Sequence, residues 1–211
     1  MDTSFAITFF GAIFAIMNPI SNLPIFLSIT EGASQADQRR IAMKAGLYCL
    51  ILGGAFAAAG TQVLTLFGIS VDDFRVAGGL VVLLLALNML SGQESSSHHG
   101  TDAEKDAYPA ADTVAFYPLT FPILVGPGTI TTLIVYSHQI TGAAQLTSFV
   151  VVFVGMVGFL TLTFWNAPVL GKHLSGTARV IMSRLMGMIL AAIAVAMIMD
   201  GLKALLPGLA G

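Results

Sequence analysis

The stretch MNPISNLP, residues 17–24, interrupts the first long apolar run of the chain, and most of the fold follows from it. A second stretch, FPILVGPG at residues 121–128, interrupts the fourth apolar run and repeats the same proline spacing 103 positions later. Proline has no backbone N–H and clashes with the preceding helical turn, so two closely spaced prolines open a membrane helix. The two stretches therefore predict that the first and fourth helices are broken at mid-membrane.

The composition is that of a membrane protein. Of the 211 residues, 56% are hydrophobic and only 9% are charged, whereas about 25% are charged in an ordinary soluble domain. Apolar runs long enough to cross a bilayer lie at residues 4–30, 41–68, 73–91, 113–137, 145–167 and 180–206. The net charge is −2 and no basic patch is present, which argues against a nucleic-acid partner. The sequence predicts an all-α membrane protein with six transmembrane helices and the lipid bilayer as its solvent.

A polar segment divides the chain into two halves. Residues 93–112 are predicted to form a cytoplasmic linker between residues 1–92 and 113–211, which hold three apolar runs each. An odd number of spans per half inverts the second half relative to the first, as in inverted-repeat transporters. The motifs FRVAG at residues 74–78 and SRLMG at residues 183–187 add a second correspondence between the halves. We therefore expect two inverted three-helix repeats.

The basic residues predict the orientation in the membrane. The first, third and fifth loops contain Arg39, Arg40, Lys44, Lys105, Lys172, Arg179 and Arg184. The opposite side contains only Arg75 and Lys203. Because cytoplasmic loops carry the excess of Lys and Arg, this distribution predicts that both termini lie on the outer side.

The interruptions also predict a ligand site. Paired discontinuities in corresponding halves of a transporter are typical of its binding site. The candidate substrate-binding residues are Asn18, Pro19, Ser21, Asn22, Pro24, Asn88, Pro122, Gly126, Pro127, Gly128, Thr129, Thr131 and Thr132. Two alternatives stay open: the prolines merely kink the helices, and Asn88 either lines the cavity or bonds a neighbouring helix.

The second stretch is predicted to bind the anionic end of a zwitterion. The free N–H groups and positive dipole at the start of a helix attract negative charge. The N–H groups of Gly128 and Thr129, with the hydroxyl of Thr131 or Thr132, would therefore face a carboxylate. The glycines at 126 and 128 leave room for a ligand to approach the backbone.

The first stretch is predicted to bind the cationic end. Asn18, Ser21 and Asn22 supply side-chain oxygens, which together with freed carbonyl groups would face an ammonium group. The two walls of such a site would be chemically unequal, as an amino acid requires.

The sequence lacks the residues that several other kinds of function require. No acidic or basic residue lies near the centre of a span, which argues against a carboxylate proton relay and against charged substrates. Asp200 falls near the outer end of the last span. His98 and His99 are adjacent within the linker, where a solvated loop is expected rather than a metal site. We expect no metal, no cofactor and no enzymatic activity, since no nucleophile with a neighbouring base is evident.

The motifs together resemble one family. They are NPI at residues 18–20 with Pro24, FPI at 121–123 with GPGT at 126–129, FRVAGG at 74–79 and MIMDG at 197–201. They resemble the MarC family, also catalogued as the neutral amino acid transporter family, and the likeness covers the whole chain. The resemblance implies a bacterial or archaeal inner-membrane protein with six helices that transports small neutral amino acids such as glycine and alanine.

We therefore expect a secondary transporter that works by alternating access, with one three-helix half moving against the other. The sequence leaves the coupling ion open between H⁺ and Na⁺ and allows a homo-oligomer. One alternative is a passive channel or efflux protein for small polar solutes. Another is a membrane enzyme or assembly partner that acts through the loop at residues 92–112.

Overall fold

The computed structural model describes residues 1–30, 32–91, 114–173 and 176–209, and within them the regular structure is entirely helical. The helices are α1 Thr3–Met17, α2 Pro19–Ile29, α3 Gln35–Leu66, α4 Val71–Ser91, α5 Ala115–Leu124, α6 Pro127–His138, α7 Ala143–Trp165, α8 Ala167–His173 and α9 Gly176–Leu205. A 3₁₀ turn follows at Pro207–Leu209. The predicted linker at residues 93–112, with His98 and His99, lies outside the described residues.

The membrane class predicted from composition is confirmed. Among the described residues, five segments are long and apolar enough to cross a bilayer: Thr3–Leu23, Gln35–Leu66, Val71–Ser91, Ala143–Trp165 and Gly187–Leu205. The pair α5 and α6 passes the same test together, with a bend of 62° between them, and gives a sixth span if the pair is one span.

The first interruption lies at Asn18. Its φ of 28° and ψ of 79° end α1, although its N–H still donates to Phe14 O at 2.8 Å. Asparagine tolerates positive φ better than most residues. Proline suits the first position of a helix, and α2 accordingly begins at Pro19. Pro24 lies inside α2, so the departure from helical geometry lies at Asn18, before the first proline of this stretch, and Thr3–Leu23 still forms one span.

The second interruption is longer. Helix α5 is wide and irregular, with Phe121 in an extended conformation, and it ends at Leu124. Helix α6 begins at Pro127 after Gly126, where an added Cβ would collide with Pro122 O. The glycine therefore permits the close turn that separates α5 from α6. Phe121 occupies the position equivalent to Asn18, so both residues before the first proline depart from helical geometry.

Aromatic stacking holds the larger of two apolar cores. Phe9 of α1 stacks on Phe149 of α7, and Phe26 of α2 stacks on Phe164 of α7, each pair with ring centroids 4.6 Å apart. This core takes its buried residues from α1, α2, α3, α5, α6, α7 and α8 and from Val125. A separate, smaller core consists of Ala15, Val82, Ala86, Leu190 and Ala194.

Contacts at the two ends of α7 fix the directions of its neighbours. The N–H of Asp2 donates to Ser148 Oγ at 2.9 Å, which places the start of α1 beside the start of α7. The guanidinium of Arg39 lies 5.2 Å from the ring centroid of Trp165, which places the start of α3 beside the end of α7. Helices α1 and α7 therefore run in the same direction and α3 runs opposite to them.

Candidate functional site

The two interruptions are neighbours in space. A Cβ added to Gly128, the second residue of α6, would lie 3.4 Å from Cγ2 of Ile16, two residues before Asn18. It would also lie 3.2 Å from Val82 Cγ2 and 3.7 Å from Leu85 Cδ1, both on α4. The start of α6 is therefore enclosed by the end of α1 and by one face of α4.

The N-terminus of α6 has no side-chain cap. Its capping position is Gly126, which has no side chain, and Pro127 at the first position has no N–H to satisfy. The next N–H groups belong to Gly128 and Thr129, which are both buried. An uncapped, buried helix start with its positive dipole end suits a carboxylate or another anionic group.

The three threonines of α6 differ in how their hydroxyls are used. Thr129 Oγ1 donates to Leu124 O at 2.7 Å, and Thr131 Oγ1 donates to Pro127 O at 2.8 Å. Thr132 Oγ1 is buried without a hydrogen-bond partner, although only 1% of the residue is exposed. Thr132 lies four residues after Gly128 and hence on the same side of α6. Of the two hydroxyls left open by the sequence, that of Thr132 is the free one.

The first stretch leaves a free donor and a free hydroxyl. Asn18 Oδ1 accepts the N–H of Ser21 at 3.1 Å and so caps α2, but Asn18 Nδ2 has no partner although the residue is only 2% exposed. The hydroxyl of Ser21 is also buried and unpaired. Asn22 Nδ2 donates to Met17 O at 2.7 Å, so the carboxamide oxygen of Asn22 is the atom of this side chain that remains available to accept a hydrogen bond. Asn18 therefore offers a donor, which suits a carboxylate better than the ammonium group predicted for it.

The remaining candidate residues are the prolines and Asn88, and the structure places each of them in or beside a helix. Pro19 and Pro127 begin α2 and α6, and the carbonyl of Pro122 occupies the space beside Gly126. Pro24 lies within α2. Asn88 is half-buried on α4, one turn beyond Leu85, and in the described part of the chain its side chain makes no hydrogen bond.

Three residues of α4 border the site without having been predicted. Val82 and Leu85 cover Gly128, and Gly78 packs so closely on Thr131 that an added Cβ would collide with its side chain. Gly78 belongs to the motif that is repeated in the third and sixth spans, but this motif does not predict that Gly78 packs against Thr131. The described residues contain no group of three or more His, Cys, Asp or Glu side chains that could hold a metal ion.

These features define an integral membrane protein of apolar helices with buried, unpaired polar atoms at two adjoining helix interruptions. The chain belongs to the MarC family: the model for MarC family integral membrane proteins matches residues 3–206. The resemblance seen in the motifs is thereby confirmed.

Curated relatives match along nearly their whole length. The UPF0056 membrane protein YvbG of Bacillus subtilis is 36% identical, with 98% of each chain covered. A UPF0056 membrane protein of Methanocaldococcus jannaschii is 34% identical, covering 96% of this chain and 98% of the relative. YhcE of Escherichia coli is 31% identical, covering 95% and 93%. These names describe membrane proteins and state no substrate. No solved structure matches the chain.

Proposed function

We propose that this protein is a secondary transporter of small neutral amino acids, of the glycine and alanine type, which bind between the two helix interruptions. The observation that carries the proposal is that three buried polar atoms at the interruptions lack hydrogen-bond partners among the described residues: Asn18 Nδ2, Ser21 Oγ and Thr132 Oγ1. An unpaired buried polar group costs about 1–3 kcal/mol, so a bound polar molecule that pairs with these atoms would recover that free energy.

The unpaired atoms are concentrated at the interruptions. Two further buried polar atoms lack partners in the described part of the chain, on Gln38 and Arg75. These two side chains make another bond, as that of Asn18 does: Gln38 donates to Thr30 O, and Arg75 pairs with Asp72 at 3.1 Å. Elsewhere in the spans, hydroxyls such as that of Thr161 donate to a carbonyl four residues earlier. The free hydroxyls of the two stretches are thus exceptional.

The chemistry at the interruptions suits a zwitterion. The N-terminus of α6, the amide of Asn18 and the hydroxyl of Thr132 supply donors for a carboxylate. The carboxamide oxygen of Asn22, whose nitrogen is already bonded to Met17 O, supplies an acceptor for an ammonium group. None of these residues is charged, which favours a substrate without net charge.

We extend the proposal to the arrangement of the chain in the membrane: two inverted three-helix repeats, with both interruptions at mid-membrane and both termini outside the bacterial inner membrane. The packing supports it, because several contacts have a counterpart when the halves are exchanged. Helix α1 packs on α7 as α5 packs on α3, and α2 packs on α9 as α6 packs on α4. Transport would be coupled to H⁺ or Na⁺.

Uptake into proteoliposomes tests the function. We expect purified protein to give saturable uptake of labelled glycine and alanine, stimulated by unlabelled amino acid inside the vesicles. A channel for small polar solutes would show neither saturation nor counterflow. Protein that is correctly inserted but gives no saturable uptake of either amino acid would refute the proposal.

A further inference from the structure

Helix α4 packs against the second half of α9 along most of the length of α4. At one end, a Cβ added to Gly201 would lie 2.6 Å from Val76 Cγ2. In the middle, a Cβ on Gly79 would lie 3.0 Å from a carbonyl oxygen of α9. At the other end, a Cβ on Gly187 would lie 3.1 Å from Met89 Cβ. Val76 and Met89 are 13 positions apart, which corresponds to about 20 Å of helix, so the close contact extends over about 20 Å.

The pair has a core of its own. The smaller apolar cluster takes its buried residues from α4 and α9, with Ala15 of α1 as the one buried contributor from elsewhere. The larger cluster contains no described residue of α4 or α9. Closely packed helices with a shared core move together, whereas two separate cores allow relative movement at the boundary between them.

The connection from α3 to α4 is short and weakly packed. Helices α3 and α4 are consecutive in the chain but make little contact with each other. Between them lies Gly68, whose φ of 69° is a conformation that glycine adopts easily. A short turn of this kind can absorb a change in the angle between α3 and α4.

The boundary between the two cores passes along the proposed binding site. Val82 and Leu85 of α4 cover Gly128 at the start of α6, and Gly78 of α4 lies directly against Thr131. Moving α4 away from α6 would therefore expose the N–H groups at the start of α6.

We infer that α4 and α9 move as one body against the rest of the protein, and that α4 is the movable cover of the substrate site. This inference rests on the proposed function. It differs from the expectation that one three-helix half moves against the other, because α4 belongs to the first half and α9 to the second. The two schemes make opposite predictions for a covalent bond between α4 and α9.

The first test is a disulfide between these helices. In a Cys49→Ala background, Met89→Cys and Gly187→Cys place two thiols on adjacent backbones, where the Cβ separation of 3.1 Å is close to the disulfide range of about 3.5–4.5 Å. We expect glycine uptake after oxidation to stay within about two-fold of the reduced protein, because α4 and α9 already move together. A loss of ten-fold or more on oxidation, reversed by reductant, would overturn the inference.

A second test does not depend on transport. Spin labels at exposed positions Leu80 of α4, Ile189 of α9 and Val151 of α7 report distances in liposomes. We expect a narrow distance distribution between α4 and α9, and a broader one between α4 and α7. The inference would be overturned if the α4–α9 distance distribution were as broad as the α4–α7 distribution. It would also be overturned if both distributions were equally narrow. If the parent protein takes up no glycine, the proposed function fails, but these widths still decide whether α4 and α9 form one body.

Discussion

The substitution Thr132→Val examines the proposed site most directly. Valine has nearly the shape of threonine, so the change removes the hydroxyl and leaves the packing of α6 in place. Thr132 Oγ1 has no hydrogen-bond partner in the structure and is buried. If this hydroxyl forms a hydrogen bond only with the substrate, its removal should weaken substrate binding and leave the stability of the fold unchanged.

The expected magnitudes follow from this environment. An unpaired buried hydroxyl costs about 1–3 kcal/mol, so replacing Thr132 by an apolar residue should leave stability unchanged or raise it slightly. A hydrogen bond to a charged group contributes about 1.5–3 kcal/mol. Loss of such a bond to the substrate carboxylate should raise the KM for glycine about ten- to hundred-fold, since each 1.4 kcal/mol is a factor of ten.

Thr161→Val is the matched control. Thr161 also lies within a span, but its hydroxyl donates to Val157 O at 2.8 Å. Thr161 is remote in sequence from both interruptions. This control should keep the parent KM and lose at most about 1 kcal/mol of stability. KM in proteoliposomes and thermal unfolding in detergent measure both effects. Equal KM values for Thr132→Val and Thr161→Val would refute the assignment of Thr132 to the site.

Two further substitutions test the local geometry. Asn18→Asp keeps the oxygen that accepts the N–H of Ser21 but replaces the free amide donor by an acceptor. The affinity for glycine should therefore fall more than ten-fold. Unchanged affinity would show that Asn18 Nδ2 does not bind the substrate. Gly126→Ala should lower the melting temperature, because its Cβ would meet Pro122 O, whereas Gly142→Ala, with open space around it, should not. Equal melting temperatures for the two alanine variants would contradict this account of the turn before α6.

The helices were predictable because apolar length and composition determine them. Six apolar runs in the sequence correspond to the observed helices, and α3 differs most at its start, where it begins at Gln35 instead of residue 41. The reason is local: Ser34 Oγ caps the helix by accepting the N–H of Asp37 at 3.1 Å, so a polar first turn precedes the apolar run. Hydropathy detects the part of a helix that lies in lipid and misses a polar extension of this kind.

The proline pattern predicted where the chain departs from regular helix, but not which proline begins a new helix. Before the second proline the first half has Leu23, which is buried and compatible with a continuous helix, so Pro24 stays within α2. The equivalent residue in the second half is Gly126, whose missing side chain admits a carbonyl and permits a sharp turn before Pro127. The spacing of the prolines is the same in both halves, and the residue in front of the second one decides the outcome.

The identity of the free polar atoms could not be predicted from the sequence. Thr131 and Thr132 are adjacent residues of the same type, and only their surroundings in three dimensions make one hydroxyl bonded and the other free. The same holds for Asn18, whose carboxamide oxygen caps α2 and leaves its nitrogen as a donor. The sequence therefore predicts a candidate site as a group of residues, and the structure determines which polar atoms of that group have no hydrogen-bond partner among the described residues.

The difference between the halves gives the proposed site its polarity. In the first half one residue, Asn18, departs from helical geometry, and its side chain caps the helix that follows. In the second half the chain opens before α6, whose N-terminus has no cap. Two identical interruptions would present the same groups from both sides and would favour neither end of a zwitterion. With the carboxamide oxygen of Asn22 at one interruption and the uncapped helix start at the other, the proposed site would distinguish carboxylate from ammonium without a charged side chain.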